Sequence, residues 1–234
     1  MATDIAPQLI GDILKAFNEK MKEDAEVQRL LELVNNPKIS HKEAHQYSHQ
    51  LGRLLSECFS EHIDYKNLPD GKMYFNIADR LVRQTYQRGY DEVIDYAVKV
   101  QELLNANAGL GLKAAKTKID EDRLIGIIER LSASESYDDV SWILGEPTIN
   151  FMDNVVDQFV EAQVDFHARA GLKPKLIRSV LRPCCEWCES LAGTYDYPVD
   201  RQIYMRHRHC DCVVEYFPQD GRGAQNSHTK RWRK

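Results

Sequence analysis

Apolar residues return every three or four positions through the first two-thirds of the chain, which is the spacing of one face of an α-helix. Leu9, Ile10, Ile13, Leu14, Phe17 and Met21 form the first such stripe. Val27, Leu30, Leu31 and Val34 form the second, which Asn35-Asn36-Pro37 ends. Ser40 and Glu43 have capping-box spacing, so a helix is predicted to start there and to line up Ala44, Tyr47, Leu51, Leu54, Leu55, Cys58 and Phe59. On that stripe Cys58 reads as a buried core residue. Leu68-Pro69-Asp70-Gly71 reads as a turn, because proline presets one dihedral and glycine accepts a positive one. The next stripe runs from Ile77 through Leu81, Val82, Tyr86, Val93, Ile94, Ala97 and Val98 to Leu104, before Asn107-Ala-Gly-Leu-Gly111 interrupts it. Leu124, Ile127, Ile128 and Leu131 predict another helix. A last one is expected from Pro147 through Ile149, Met152, Val155, Val156, Phe159 and Phe166, with Gly171 placed to cap it.

After Pro174 the pattern changes. Lys175 to Leu181 reads as a short strand, and Cys212-Val-Val-Glu-Tyr-Phe217 as a second, rich in β-branched and aromatic residues. The predicted fold is therefore mainly α. It comprises a multi-helix N-terminal body over residues 1–170, a small cysteine-rich α+β module over 171–218 and a basic flexible tail over 219–234. A module of that size has a thin core by itself, so a metal or packing against the helices is needed to hold it.

Composition narrows the function classes. With 234 residues, 43% hydrophobic and 29% charged, the chain has the make-up of a globular protein. No apolar run approaches the roughly 20 residues that span a bilayer. Charge is unevenly spread: from Gly171 onward there are 12 Lys and Arg against 7 Asp and Glu, leaving 19 against 29 before it. A basic tail on an acidic body suits contact with nucleic acid or an acidic partner surface, and equally suits a solvated terminus. Gly109-x-Gly111 lacks a preceding strand and a third glycine, so it reads as a break between helices rather than a phosphate loop.

The candidate chemistry lies in two knots, Cys185-Glu-Trp-Cys188 and His207-Arg-His-Cys210-Asp-Cys212. A Cys-x-x-Cys turn lets two thiolates converge on one atom, and a second knot about 20 residues later can complete a tetrahedron, as in structural zinc sites. Cys185, Cys188, Cys210 and Cys212 are the preferred ligands, with His207 able to replace one of the last pair and Cys184 and His209 as spares. Disulfides, or thiols packed as small hydrophobes beside Trp187, are the alternatives. Met1 to Asp12 carries no basic stretch leading into an apolar core, so a reducing compartment is expected, where metal or free thiols prevail. His41, His45, His49 and His62 include i, i+4 pairs but lack a third ligand at suitable spacing, and no metal is assigned to them.

With these residues in place, the segment from Lys175 to Tyr216 resembles the C-terminal module of phage minor head proteins of the MuF-like, head-morphogenesis family. That family has a strand leading to Cys-x-x-Cys-x-x-Leu-x-Gly, then His-x-x-Cys-x-Cys and another strand. Here Cys185, Cys188, Leu191 and Gly193, then His207, Cys210 and Cys212, stand in that order, although Arg208 replaces the proline that often follows the histidine. The resemblance covers about a fifth of the chain. It implies a non-catalytic minor capsid component of the virion head, present in the host cytoplasm during assembly, that meets portal and capsid proteins and supports assembly, genome packaging or ejection. It also implies a structural zinc, a packed Leu191 and a turn at Gly193. Arg222, Lys230, Arg231, Arg233 and Lys234, with Trp232 among them, are expected to contact packaged DNA or acidic capsid protein. Two other readings stand beside it: a zinc-knuckle helical adaptor, and a metal-dependent nuclease or toxin using His207, His209, Asn226 and His228.

Overall fold

A computed structural model describes residues 4–181, 185–207 and 209–218. Among them, seven α-helices and one small three-stranded sheet account for the regular structure apart from four short 3-10 turns, so the fold is mainly α with a C-terminal α+β module. The helices are α1 (Ala6–Glu23), α2 (Ala25–Leu33), α3 (His41–His62), α4 (Phe75–Asn107), α5 (Glu121–Ser132), α6 (Glu146–Arg169) and the short α7 (Glu186–Ser190).

The expected start and stop signals operate. Ser40 Oγ accepts from Lys42 N and Glu43 accepts from Ser40 N at 2.8 Å, closing the capping box of α3. The turn before α4 holds Asp70 and Gly71 at positive φ (53° and 68°). Gly171, at φ 86°, follows α6 while Leu172 N reaches back to His167 O. Between α4 and α5 the chain is irregular. Buried Gln163 of α6 pins it, pairing both amide atoms with the backbone of Ala115.

The centre of the fold is α3, which packs against α1, α2, α4 and α6 and buries Tyr47, Leu51, Leu55, Cys58 and Phe59. Helices α3 and α6 approach closely at Gly52, where a Cβ would stand 2.7 Å from Ile149 Cα, so only glycine permits this crossing. Several tyrosine hydroxyls carried into the core find partners, as Tyr86 does with Thr148 Oγ1 at 2.6 Å and Tyr96 with Leu30 O at 2.8 Å.

Strands β1 (Lys175–Val180), β2 (Gly193–Asp196) and β3 (Cys212–Phe217) form an antiparallel sheet in the order β2-β1-β3. Opposed pairs Leu176/Tyr216, Arg178/Val214 and Val180/Cys212 share one face. Leu176, Val214 and Tyr216 join the same apolar core as the helices, and β3 lies against α3 and α6. The module is thus anchored to the helical body by packing. Strand β2 is not evident from composition, because a four-residue segment of Gly, Thr, Tyr and Asp becomes a strand only by pairing with β1.

Strand β3 is an edge, and its outer edge is covered by side chains of α3. Tyr216 N donates to His41 Nδ1 at 3.3 Å, and His45 Nε2 lies 3.2 Å from Val214 O. Arg206 Nη2 donates to His45 Nδ1, which leaves the ring proton on Nε2 and makes it the donor to that carbonyl. From α6, His167 Nδ1 bonds the Tyr216 hydroxyl at 2.7 Å. His41 and His45 of α3 therefore seal a sheet edge, while His49 meets Asp153 and His62 the carbonyl of Cys58.

Candidate metal centre

Strand β1 leads to the first knot and β3 leaves the second, so the strand pairing itself brings the two knots together. Cys185 caps α7 and Cys188 lies inside it, one turn on, which turns both thiols to one side. After β2 and a 3-10 turn at Arg201–Tyr204, the chain returns through His207 to Cys210 and Cys212.

Two groups of ligand atoms result, Cys185, Cys188 and His207, and Cys188, Cys210 and Cys212, each with its atoms within 4.8 Å of one another. Cys188 belongs to both. His207 Nε2 is 3.2 Å from Cys185 Sγ and 2.8 Å from Cys188 Sγ, and Cys188 Sγ is 3.7 Å from Cys210 Sγ. A zinc tetrahedron with bonds of about 2.3 Å has sulfur–sulfur edges of about 3.8 Å, so the last pair is already at ligand spacing. The donor set of thiols and one imidazole fits a metal ion of borderline softness.

Among the described residues Cys185, Cys188, Cys210 and Cys212 are free of disulfides. Cys185 and Trp187 are exposed, so Cys185 is not a small hydrophobe packed beside a buried indole. Cys188, Cys210 and Cys212 are buried. The Cys212 thiol donates to Cys210, which pushes Cys210 toward the thiolate and raises Cys212 itself. Of the spare ligands, His209 turns away to Glu146 at 3.0 Å, and Cys184 lies outside the described residues. Leu191 is buried as expected, and Gly193 sits at the start of β2 with φ 156°.

Two arginines that the spacing of Cys and His does not reveal support the knots. Arg178, 2% exposed on the inner face of β1, donates to Ile203 O at 2.5 Å and Met205 O at 3.0 Å. Its Nη2 is 4.0 Å from Cys210 Sγ and its guanidinium lies 5.5 Å from the Trp187 ring centroid. No carboxylate meets it among the described residues, so it stands as the cation opposite the thiolates. Arg206 is buried between Asp157 and Asp153 of α6, with bonds to Asp157 Oδ2 and, at 3.1 Å, to Asp157 Oδ1. Burial works against its charge, but the two carboxylates outweigh that and hold it protonated well above the ordinary value. Arg206 also donates to Cys210 O at 3.1 Å, while Asn150 Nδ2 donates to His207 O at 2.6 Å. Helix α6 thereby fixes the backbone of two candidate ligands.

The basic tail, with Arg222, Lys230, Arg231, Trp232, Arg233 and Lys234, lies outside the described residues, as do Asn226 and His228. No helix among the described residues is long and apolar enough to cross a membrane. The chain matches no protein-family model, no curated protein and no solved structure. What the geometry defines is a helical protein whose C-terminal Cys/His clusters can hold a metal ion.

Proposed function

We propose that this protein is a phage or prophage minor head component whose C-terminal knuckle is closed by a structural zinc ion. The observation that carries the reading is the convergence of Cys185, Cys188, His207, Cys210 and Cys212 between β1 and β3. This is the strand, knuckle, strand order on which the resemblance to head-morphogenesis proteins rests. Thiolates with one imidazole are the donor set of closed structural zinc sites. Five donors surround a metal with four positions, and Cys188 is the one shared by both groups. The zinc would tie α7 to the β3 approach, holding a module whose own core is small.

In this reading the protein is made in the host cytoplasm and resides in the virion head, bound to portal and capsid proteins. There it supports assembly, packaging or ejection, and its basic tail faces DNA or acidic capsid protein. The test is mass spectrometry of gradient-purified, DNA-containing particles released on prophage induction of the source organism. A few fixed copies per particle are expected. Absence from particles while the protein is expressed in the cell refutes the role and favours a cellular adaptor.

A further inference from the structure

Beside the knuckle, α5 and the start of α6 border a cavity of about 470 Å³ that Arg206 also lines. That volume lies within the range of small-molecule sites. Arg123, Gly126, Ile127 and Arg130 form one wall, at the i, i+3, i+4, i+7 spacing of a single helix face. Trp142 and Pro147 line the opposite side, and His207 of the knuckle also borders the cavity.

Three features of this wall have no explanation in the packing of the fold. The first is Arg123. Arg29, Arg53, Arg80, Arg83, Arg88 and Arg206 each meet a carboxylate, whereas among the described residues the Arg123 guanidinium has only the Phe151 ring, at 5.6 Å. Half-buried, it has no hydrogen-bonded acceptor among the described residues, and Asp120 and Asp157 act on it only through space. The second is Arg130, whose Nε donates back to Gly126 O at 3.0 Å. That bond folds its side chain back one turn along α5, and Arg123 and Arg130 both line the cavity. The third is Gly126 itself, inside a helix, where glycine costs about 1 kcal/mol relative to alanine. A Cβ there would meet no atom within 4 Å, so close packing does not require the glycine. Two acids also line the cavity, but Glu146 is engaged by His209 and Asp122 is exposed.

We propose that this cavity binds a nucleotide, its phosphate held by Arg123 and Arg130 and its base laid against the half-exposed indole of Trp142. Arginine forks match phosphate oxygens, and an indole face stacks on any base. The nucleotide is either a free mononucleotide or one unit of a single strand, and the site stands whether or not the protein is a head component.

The experiment is isothermal titration of the full-length protein with three probes: 2′-deoxyadenosine 5′-monophosphate, a short single-stranded oligodeoxynucleotide and inorganic phosphate. Saturable binding of one of the first two is expected, with at least a tenfold loss in Arg123→Gln. Gly126→Leu is the second variant, because it fills the cavity with a better helix former and leaves the fold intact, which circular dichroism checks. Mononucleotide binding assigns a free ligand, and binding of the oligonucleotide alone assigns a strand. Phosphate binding as tightly as either, nucleotide binding that both variants leave unchanged, or no saturable binding of the nucleotide probes overturns the proposal.

Discussion

His45 Nε2 donates to the carbonyl of Val214 at 3.2 Å, so a helix side chain from α3 completes the open edge of strand β3. Its neighbour one turn earlier, His41, accepts from Tyr216 N, and the pair covers the edge where another strand would otherwise add. This contact works only while the histidines are neutral, and that has consequences for stability.

Acid should release the module. Burial lowers His41 and His167 to about 4 and holds His45 well below its ordinary 6.5. Between those values the unfolded chain binds more protons than the folded one, so stability is full above about 6.5 and falls as pH drops toward 4. Each tenfold difference in proton affinity between the folded and unfolded chain corresponds to about 1.4 kcal/mol. Two groups act in the opposite sense: Asp157, raised by burial to about 6, and His49, raised by its bond to Asp153, which contributes less because its side chain is 39% exposed. Urea unfolding from pH 7 to 4 should show the loss, with a shallower slope in His41→Gln. A flat wild-type profile would contradict neutral histidines at the edge.

Cys188→Ser should abolish metal binding, because Cys188 alone belongs to both ligand groups. Single Ser variants of Cys185, Cys210 and Cys212 each leave one of the two ligand groups whole and should retain weaker binding. Metal content of reduced, purified protein by mass spectrometry checks this, and a chelator should lower the melting temperature of the wild type but not of Cys188→Ser. Wild-type protein that holds no zinc and ignores chelators counts against the zinc reading.

Replacing Arg178 by Met removes the buried cation 4.0 Å from Cys210 Sγ. Outer-shell partners of this kind typically change metal affinity by about 10–100-fold, and a loss in that range is expected in competition with a chromophoric chelator. Affinity equal to the wild type would show that Arg178 serves only the carbonyls of Ile203 and Met205.

Arg206→Met should be among the most damaging single changes, because it leaves Asp157, 1% exposed, without its partner. Breaking a buried pair this way costs about 3–5 kcal/mol. The double variant Arg206→Met with Asp157→Leu should recover part of that loss, and denaturation midpoints of the two proteins decide the matter.

Gly52→Ala should destabilise through backbone overlap. The added methyl would meet Ile149 Cα at 2.7 Å, and overpacking of this kind costs about 1–3 kcal/mol. The same change at Gly11, where a Cβ meets nothing, should be neutral or stabilising.

Much of the local structure follows from the sequence. The stripes through Phe17, Leu51, Leu81, Ile127 and Phe159 are largely buried as their spacing requires, although Phe166 at the end of the last one is exposed. The capping box at Ser40 and the two strands around the knots are local as well. Cys185 and Cys188 also converge for a local reason, since a Cys-x-x-Cys turn closes within one helical turn, whereas the pairing of β1 with β3 brings that knot to His207, Cys210 and Cys212.

What only the tertiary structure decides is which distant groups meet. Asp153 and Asp157 sit one turn apart among Met152, Val156 and Phe159, and charge on an apolar stripe signals a buried partner without naming it. That partner is Arg206, 49 residues beyond Asp157. Likewise the parity of Arg178 with Leu176 turns it inward, yet only strand pairing sets it beside Cys210. From spacing alone, His41 and His45 read only as part of i, i+4 pairs without a third metal ligand. Their role at the edge of β3 depends on a contact across 169 and 175 residues, which no local pattern encodes.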